Sequence, residues 1–558
     1  MIIGLDVGGT HIDIVLLEKK GVMREIKVPT NSSDLFNGIL SGLKEITKGI
    51  KPKALKRIVL STTVTTNSIV QGNIPKLGMI VMGGPGIDPE LYKTNEHYYV
   101  ISGCIDHRGR EIQPVDEKEV IKIAAKLKSE DIRHVGVIGK FSSRNPSHEI
   151  QVREILRKTF KNIFLGHWIS GNLNFPRRIA TTFLNACIYP VHKKFFRSVK
   201  KSLDKKGLGI PIHILKADGG TMSIDSSFRS PCQTILSGPA ASIMGTTPFA
   251  PVDEDVVVLD IGGTTTDIAV LIKGVPILEP QGIQIGEYKT LVRSLKTVSI
   301  GIGGDSIIKV HEGKLIIGPE RSGPAMAYGG SLPTPTDALF VKKMIESGNR
   351  EKAIEGISSI AKNLGKSIEE TSSMILDYCC EEILSKMQDM INHINSKPLY
   401  TVHEMHEEYH VSPEKIMVLG GPAPYFAKHI EKTSKYKTIT VPRHKVANAI
   451  GAALARTTCE VTLFSDTQIG VAGAPEEDFE KKVGKSFSRD DAVEMAFQLL
   501  KEKALRRGAG KEDLEMELLE DLQFNMVRGF HTVGKNIRVK AQIKPGLING
   551  YKQIVKNL

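Results

Sequence analysis

Asp6-Val7-Gly8-Gly9-Thr10-His11-Ile12-Asp13 lies near the start of the chain, and Asp260-Ile261-Gly262-Gly263-Thr264-Thr265-Thr266-Asp267 repeats its pattern, Asp-x-Gly-Gly-Thr-x-x-Asp, at identical offsets. Each copy follows an apolar run (residues 2–5 and 256–259) and precedes an alternating one (Ile12, Ile14, Leu16; Ile268, Val270, Ile272). Period-two alternation is the mark of strands, so each copy predicts a β-hairpin with a Gly-Gly-Thr turn. Glycine carries no Cβ, so such a turn can bring backbone N–H groups close to an anion. A single Gly-Gly is often no more than a hairpin turn. Two in-register copies flanked by aspartate instead suggest matched halves of one phosphate clamp.

The side chains fit that picture. Asp6 and Asp260 end their strands, where a carboxylate can bind Mg²⁺ directly or through water. Thr10, Thr264, Thr265 and Thr266 add hydroxyls for phosphate oxygens, and Gly8, Gly9, Gly262 and Gly263 supply open backbone. Asp6, Asp260 and Asp267 are the candidate catalytic residues, with Asp6 and Asp260 the candidate metal ligands. Asp13 and Asp267 serve equally well to bond their own turns.

Working outward, 558 residues exceed one hydrophobic core and suggest three or four units at roughly 150 residues each. A hydrophobic fraction of 41% with 25% charged residues is that of a folded globular protein and excludes disorder as the main theme. The excess of 13 positive charges suits an anionic small molecule such as a nucleotide as well as nucleic acid. Acidic residues interleave the basic ones and Trp168 is the sole tryptophan, so no basic and aromatic stripe forms and nucleic acid is not expected. No run of 18 apolar residues and no secretory signal is evident, so a cytoplasmic protein without a membrane span is expected. The six cysteines are scattered without Cys-x-x-Cys spacing and read as reduced, buried thiols.

Other segments carry weaker signals. Residues 61–68 form a hydroxyl-rich stretch, suited to an active-site loop or a polar turn. Pro190 predicts the end of the helix that begins near residue 177. Pro239 predicts a helix start able to meet an anion. Gly303 and Gly304 lie in a glycine-rich run and join the candidate cofactor-binding set. Gly420 and Gly421 make a flat turn suited to an adenine ring, or an ordinary link from strand to helix. His403, His406 and His410 share one helical face, where surface histidines among glutamates are favoured over a metal site. Residues 446–453 predict a small-residue helix that packs closely, as a hinge between lobes requires. The expected division is 1–175 and 176–460 for two related lobes, with 461–558 a small α+β appendage.

The order of motifs resembles the hydantoinase/oxoprolinase family, the A-type subunit of ATP-dependent hydantoinases. The likeness rests on Gly4-Leu5-Asp6-Val7-Gly8-Gly9-Thr10, Thr62-Thr63-Val64-Thr65-Thr66-Asn67, Asp218-Gly219-Gly220-Thr221-Met222-Ser223, Leu236-Ser237-Gly238-Pro239-Ala240 and the second hairpin. Residues 301–306, 318–324 and 333–338 continue it. Ser61 stands where the family usually has glycine, and Gly301-Ile302-Gly303-Gly304-Asp305 replaces a Gly-Ala-Gly-Gly-Gly run. The resemblance implies an α/β fold of two ribonuclease H-like lobes of the actin, sugar kinase and heat-shock ATPase group, with ATP and Mg²⁺ in the cleft between them. It implies ATP-dependent opening of a cyclic amide such as a hydantoin or 5-oxoproline, in an oligomer with a B-type subunit as partner. The same motifs would serve a ketone carboxylase subunit, a small-molecule kinase or a reactivating ATPase.

Overall fold

A computed structural model describes the chain except residues 31–33, 64, 67–68, 70–73, 206, 208, 280 and 397–409. His403 and His406 therefore lie outside the described residues, while His410 meets the Asn395 amide at 3.3 Å.

The first sheet begins with a meander, β1 (Ile2–Val7), β2 (His11–Glu18) and β3 (Gly21–Pro29), with α1 (Leu35–Ile46) behind it. β4 (Arg57–Thr62) lies parallel to β1. An inserted, wholly parallel sheet follows, ordered β8-β7-β5-β6 from β5 (Gly78–Met82), β6 (Tyr98–Val100), β7 (His134–Gly139) and β8 (Asn162–Leu165). The long helix α2 (Phe175–Lys205) then leads to β9 (Ile212–Leu215) and β10 (Thr221–Ser223), which complete the first sheet in the order β10-β9-β4-β1-β2-β3. A boundary at residue 176 would cut this sheet, so the first lobe runs past residue 223.

Pro190 sits inside α2, contrary to the expected helix end. Proline costs the helix one hydrogen bond and roughly 3 kcal/mol, but α2 spans two cores. Phe183, Leu184 and Cys187 pack under the inserted sheet, and Phe196, Val199 and Leu203 pack under the first. Burial on both sides of the proline holds the helix through it.

After α3 (Ser237–Thr246) the second lobe repeats the topology. β11 (Val256–Ile261), β12 (Thr266–Ile272) and β13 (Val275–Pro276) form the meander, with β14 (Thr297–Ile300) also on β12. Helices α4 (Arg350–Leu364) and α5 (Ile368–Asn395) cover its outer face. β15 (Lys415–Leu419) and β16 (Lys437–Thr440) add in parallel, giving β13-β12-β11-β15-β16. Strand for strand this is β3-β2-β1-β4-β9, so the sequence duplication is a duplication of fold.

α6 (Ala447–Leu454) and α3 lie between the lobes. A Cβ on Gly451 would stand 2.2 Å from Gly245 N, and one on Gly4 would stand 2.0 Å from Ala449 O. Only glycine permits this approach of backbone to backbone. Arg57 then caps the end of α6, its Nη2 donating to Ala453 O and Ala455 O, both at 2.8 Å.

The C-terminal unit is an antiparallel sheet ordered β19-β18-β17-β21-β20, from β17 (Glu460–Asp466), β18 (Val471–Ala474), β19 (Phe479–Lys482), β20 (Met516–Arg528) and β21 (His531–Ile543). α7 (Arg489–Arg506) packs on it, opened by a Ser488/Asp491 capping box. α8 (Tyr551–Val555) returns to the interlobe core through Ile554. All six cysteines are buried and free. Among the described residues no helix is long and apolar enough to cross a membrane.

Candidate active site

Strand periodicity aims the aspartates. In β1, Ile3, Leu5 and Val7 enter the outer core, which leaves Ile2, Gly4 and Asp6 on the face toward α6. In β11, Val257, Leu259 and Ile261 enter the opposite outer core, and Val256, Val258 and Asp260 face inward. The hairpin register pairs Asp6 with Asp13 and Asp260 with Asp267, so all four carboxylates belong to the two facing surfaces.

The turns are alike in detail. Gly8 N–H donates to His11 O at 3.0 Å, and Gly262 N–H donates to Thr265 O at 2.9 Å. The N–H groups of Gly9, Thr10, Gly263 and Thr264 have no protein acceptor among the described residues. The turns also touch: a Cβ on Gly263 would lie 3.2 Å from the Thr10 methyl. Free donors on two turns in contact can hold an anion between them.

One side chain ties the halves together. Asn448 Nδ2, in the first turn of α6, donates to Asp260 Oδ2 at 2.9 Å and to Asp6 Oδ2 at 3.3 Å. Ser242 Oγ of α3 donates to the same Asp260 oxygen at 2.5 Å. Neither residue belonged to the expected site, although Asn448 is the one polar residue in the run Ala447-Asn448-Ala449-Ile450-Gly451-Ala452-Ala453. A lone amide on a buried helix face was the available signal.

Asp6 is buried and its Oδ1 has no hydrogen-bond partner among the described residues. Burial pushes its carboxyl up to about 7, with Asp13 and Asp260 adding to the rise. Burial likewise raises Asp267 to about 7, the Asp260 and Asp6 charges reinforcing it against a hydrogen bond from Ser299. Asp13 is raised by burial and held back by Lys27, which it meets at 2.9 Å. Crowded carboxylates with an orphaned oxygen are what a divalent cation relieves. Among the described residues no three acidic, histidine or cysteine side chains form a closed metal cage. Mg²⁺ needs none, since it takes one or two carboxylates and keeps waters and phosphate oxygens for the rest. Asp6 and Asp260 fit that role.

A pH dependence follows from the two raised carboxyls. Each binds its proton more tightly folded than unfolded, so its contribution to stability is full below about 4 and is lost as pH rises through about 7. The melting temperature attributable to this pair should fall between pH 5 and pH 8. The stabilisation added by Mg²⁺ with nucleotide should grow over the same range. Thermal melts across that interval, with and without both, check this; a ligand shift independent of pH would contradict it.

The remaining expected residues fall into place differently. Thr266 Oγ1 donates to Ile302 O at 2.7 Å and is buried away from the turn. Gly303 N–H is taken by Ser306 Oγ at 2.8 Å and Gly304 N–H by Gly262 O at 2.9 Å, so these two glycines brace the second turn and do not offer donors. Gly420 has φ +103, and a Cβ there would meet Ile261 O at 2.2 Å; its packing on β11 accounts for it, while Gly421 stands open. The hydroxyl stretch adjoins the first turn through Thr63, which donates to Val7 O at 3.3 Å, and its Thr66 Oγ1 accepts from Leu236 N at 3.0 Å. Its residues 64, 67 and 68 lie outside the described residues. A separate polar cavity of about 50 Å³ is lined by Lys216, Asp218, Arg293 and Glu460 where the C-terminal unit meets the lobes. Lys216 pairs with its neighbour Asp218 at 2.9 Å, while Arg293 pairs with Glu460 at 2.8 Å and so tethers that unit.

Two family models match this chain: the hydantoinase/oxoprolinase N-terminal region over residues 2–160 and the hydantoinase/oxoprolinase domain over residues 178–461. The chain belongs to the hydantoinase/oxoprolinase family. This family member is 26% identical to caprolactamase subunit alpha of Pseudomonas jessenii over 67% of its own length and 60% of that subunit's. It is 25% identical to the acetophenone carboxylase gamma subunit of Aromatoleum aromaticum, covering 94% of this chain and 77% of that one. Among solved structures it resembles nucleotide-free acetone carboxylase, with a TM-score of 0.71 at 16% identity over 98% of this chain and 88% of the other. At that identity the likeness shows the fold, two ribonuclease H-like lobes, as expected.

Proposed function

We propose that this hydantoinase/oxoprolinase family member is an ATP-dependent cyclic amidohydrolase, opening a lactam or imide ring such as a hydantoin or 5-oxoproline with a partner subunit of the B type. The observation that carries the reading is the contact of two matched turns, with unsatisfied N–H groups, above two carboxylates joined by Asn448. Such a clasp fits a polyphosphate with its metal. An amide is a poor electrophile; transfer of the terminal phosphoryl group of ATP to its oxygen would open the carbon to water, loss of the ring nitrogen would leave an acyl phosphate, and a second water would cleave that to carboxylate and phosphate. The chain contributes orientation and charge stabilisation. Gly9, Thr10, Gly263 and Thr264 hold phosphate oxygens, Asp6 and Asp260 hold the metal, and Asn448 keeps both carboxylates in register. Asp267, its carboxyl raised by burial beside the second turn, is the candidate to exchange a proton there.

The extent of the match to a ketone carboxylase subunit favours a second reading, the nucleotide-using subunit of a carboxylase. Phosphate release measured with 5-oxoproline, hydantoins, caprolactam, or ketones plus bicarbonate separates the two. Ring-opened product with stoichiometric phosphate supports the amidohydrolase. Release only with ketone and bicarbonate supports the carboxylase, phosphorylated product a kinase, and release altered only by a protein a reactivating ATPase.

A further inference from the structure

Five carboxylates, Asp6, Asp13, Asp260, Asp267 and Asp305, crowd the two turns, and a polyphosphate brought there adds more negative charge. Of the basic side chains at this place, Lys27 is engaged with Asp13. Arg321 is held differently. It rises from loop 318–324, which is pinned by Gly318 N–H to Ile307 O at 3.0 Å and Ile307 N–H to Glu320 O at 2.9 Å. Its Nη2 donates to Asp305 Oδ2 at 3.2 Å, a single-point contact. Asp305 in turn is fixed to the second turn, its N–H donating to Gly263 O at 2.6 Å, with Oδ2 2.6 Å from where a Gly263 Cβ would stand. The guanidinium is also close enough to the first turn to bear on His11, whose imidazole is lowered chiefly by burial, then by Lys27 and Arg321. Arg321 Nε is buried and has no partner among the described residues.

A side chain three-quarters buried, its guanidinium holding one weak anchor and an idle donor, is a cation short of an anion. Arginine presents a planar fork that matches phosphate in two parallel hydrogen bonds, which lysine cannot do. The place where the two turns meet is where the end of a polyphosphate clasped from both sides would lie. We propose that Arg321 binds the terminal phosphate of the nucleotide and makes this site distinguish a triphosphate from a diphosphate, with Asp305 as the residue that positions it. The inference rests on the nucleotide reading above and adds to it a residue and a selectivity.

Titration calorimetry of the full chain with Mg²⁺ and either ADP or a non-hydrolysable ATP analogue tests it without turnover. The wild type should bind the analogue more tightly than ADP. Arg321→Gln should weaken the analogue by roughly 10- to 100-fold, the loss typical of a charged hydrogen-bonding group, and leave ADP within about twofold. Arg321→Lys should fall between. An unchanged ratio of the two affinities in Arg321→Gln overturns this proposal alone, as does an equal loss of both ligands, which would mark a structural role. A wild type that binds neither nucleotide removes the wider reading and this one with it.

Discussion

Asp260→Asn and Asp6→Asn should each lower nucleotide turnover by roughly 10²- to 10³-fold or more, the scale set by removing one preorganised electrostatic contact in a closed site. Loss of fold is not the expected cause. Asp6 is buried with an unpartnered oxygen and is raised to about 7 by burial and by its carboxylate neighbours, so a neutral amide relieves strain in the ligand-free protein. Its melting temperature should hold or rise at pH 8, while the stabilisation given by Mg²⁺ with nucleotide shrinks. Differential scanning calorimetry beside a phosphate-release assay reads both. Folded variants with wild-type turnover and wild-type magnesium dependence would remove the carboxylates from the mechanism.

The second large effect is on stability. Gly451→Ala should cost about 3 kcal/mol or more, because its Cβ would press on Gly245 N at 2.2 Å and Ala241 O at 2.5 Å, backbone atoms that cannot rotate aside. Gly421→Ala is the matched control: nothing lies within 4 Å of its Cβ, and its denaturation midpoint should stay near that of the wild type. Urea titrations of the two variants decide the matter through the midpoint at constant slope. Equal behaviour of the pair would mean that α3 and α6 do not pack as closely as described.

The hairpins were readable because each signal is local. Strand period, glycine turn and flanking aspartate all fall within eight residues, and chain physics alone sets their geometry. Asn448 was legible only as a lone amide on a small-residue helix, since α6 brings it to Asp260 across 188 residues, and Ser242, 18 residues before Asp260, reads as one more small residue of α3. Gly303, Gly304 and Gly420 show the converse. Glycine in a sequence says that a side chain is unwelcome, and here the protein's own atoms account for it: backbone at Gly303 and Gly420, the Thr336 hydroxyl at Gly304. Pro190 misled for a related reason: a local rule for ending helices yielded to two cores that α2 joins. The boundary near residue 176 failed because β9 and β10 return to a sheet begun two hundred residues earlier, after a complete inserted sheet.

The bond from Asn448 to Asp6 joins positions 442 residues apart. On the ribosome, the sheet that carries Asp6 emerges early, yet the face holding Gly4 stays bare until α6 has been synthesised and has left the exit tunnel. A nascent chain at that stage exposes an apolar surface that its own later residues must cover, which makes it a substrate for holding chaperones and prone to self-association. Nucleotide competence would then appear abruptly during synthesis, when residue 448 is free to reach back, and arrested chains stopped on either side of that length should differ in it.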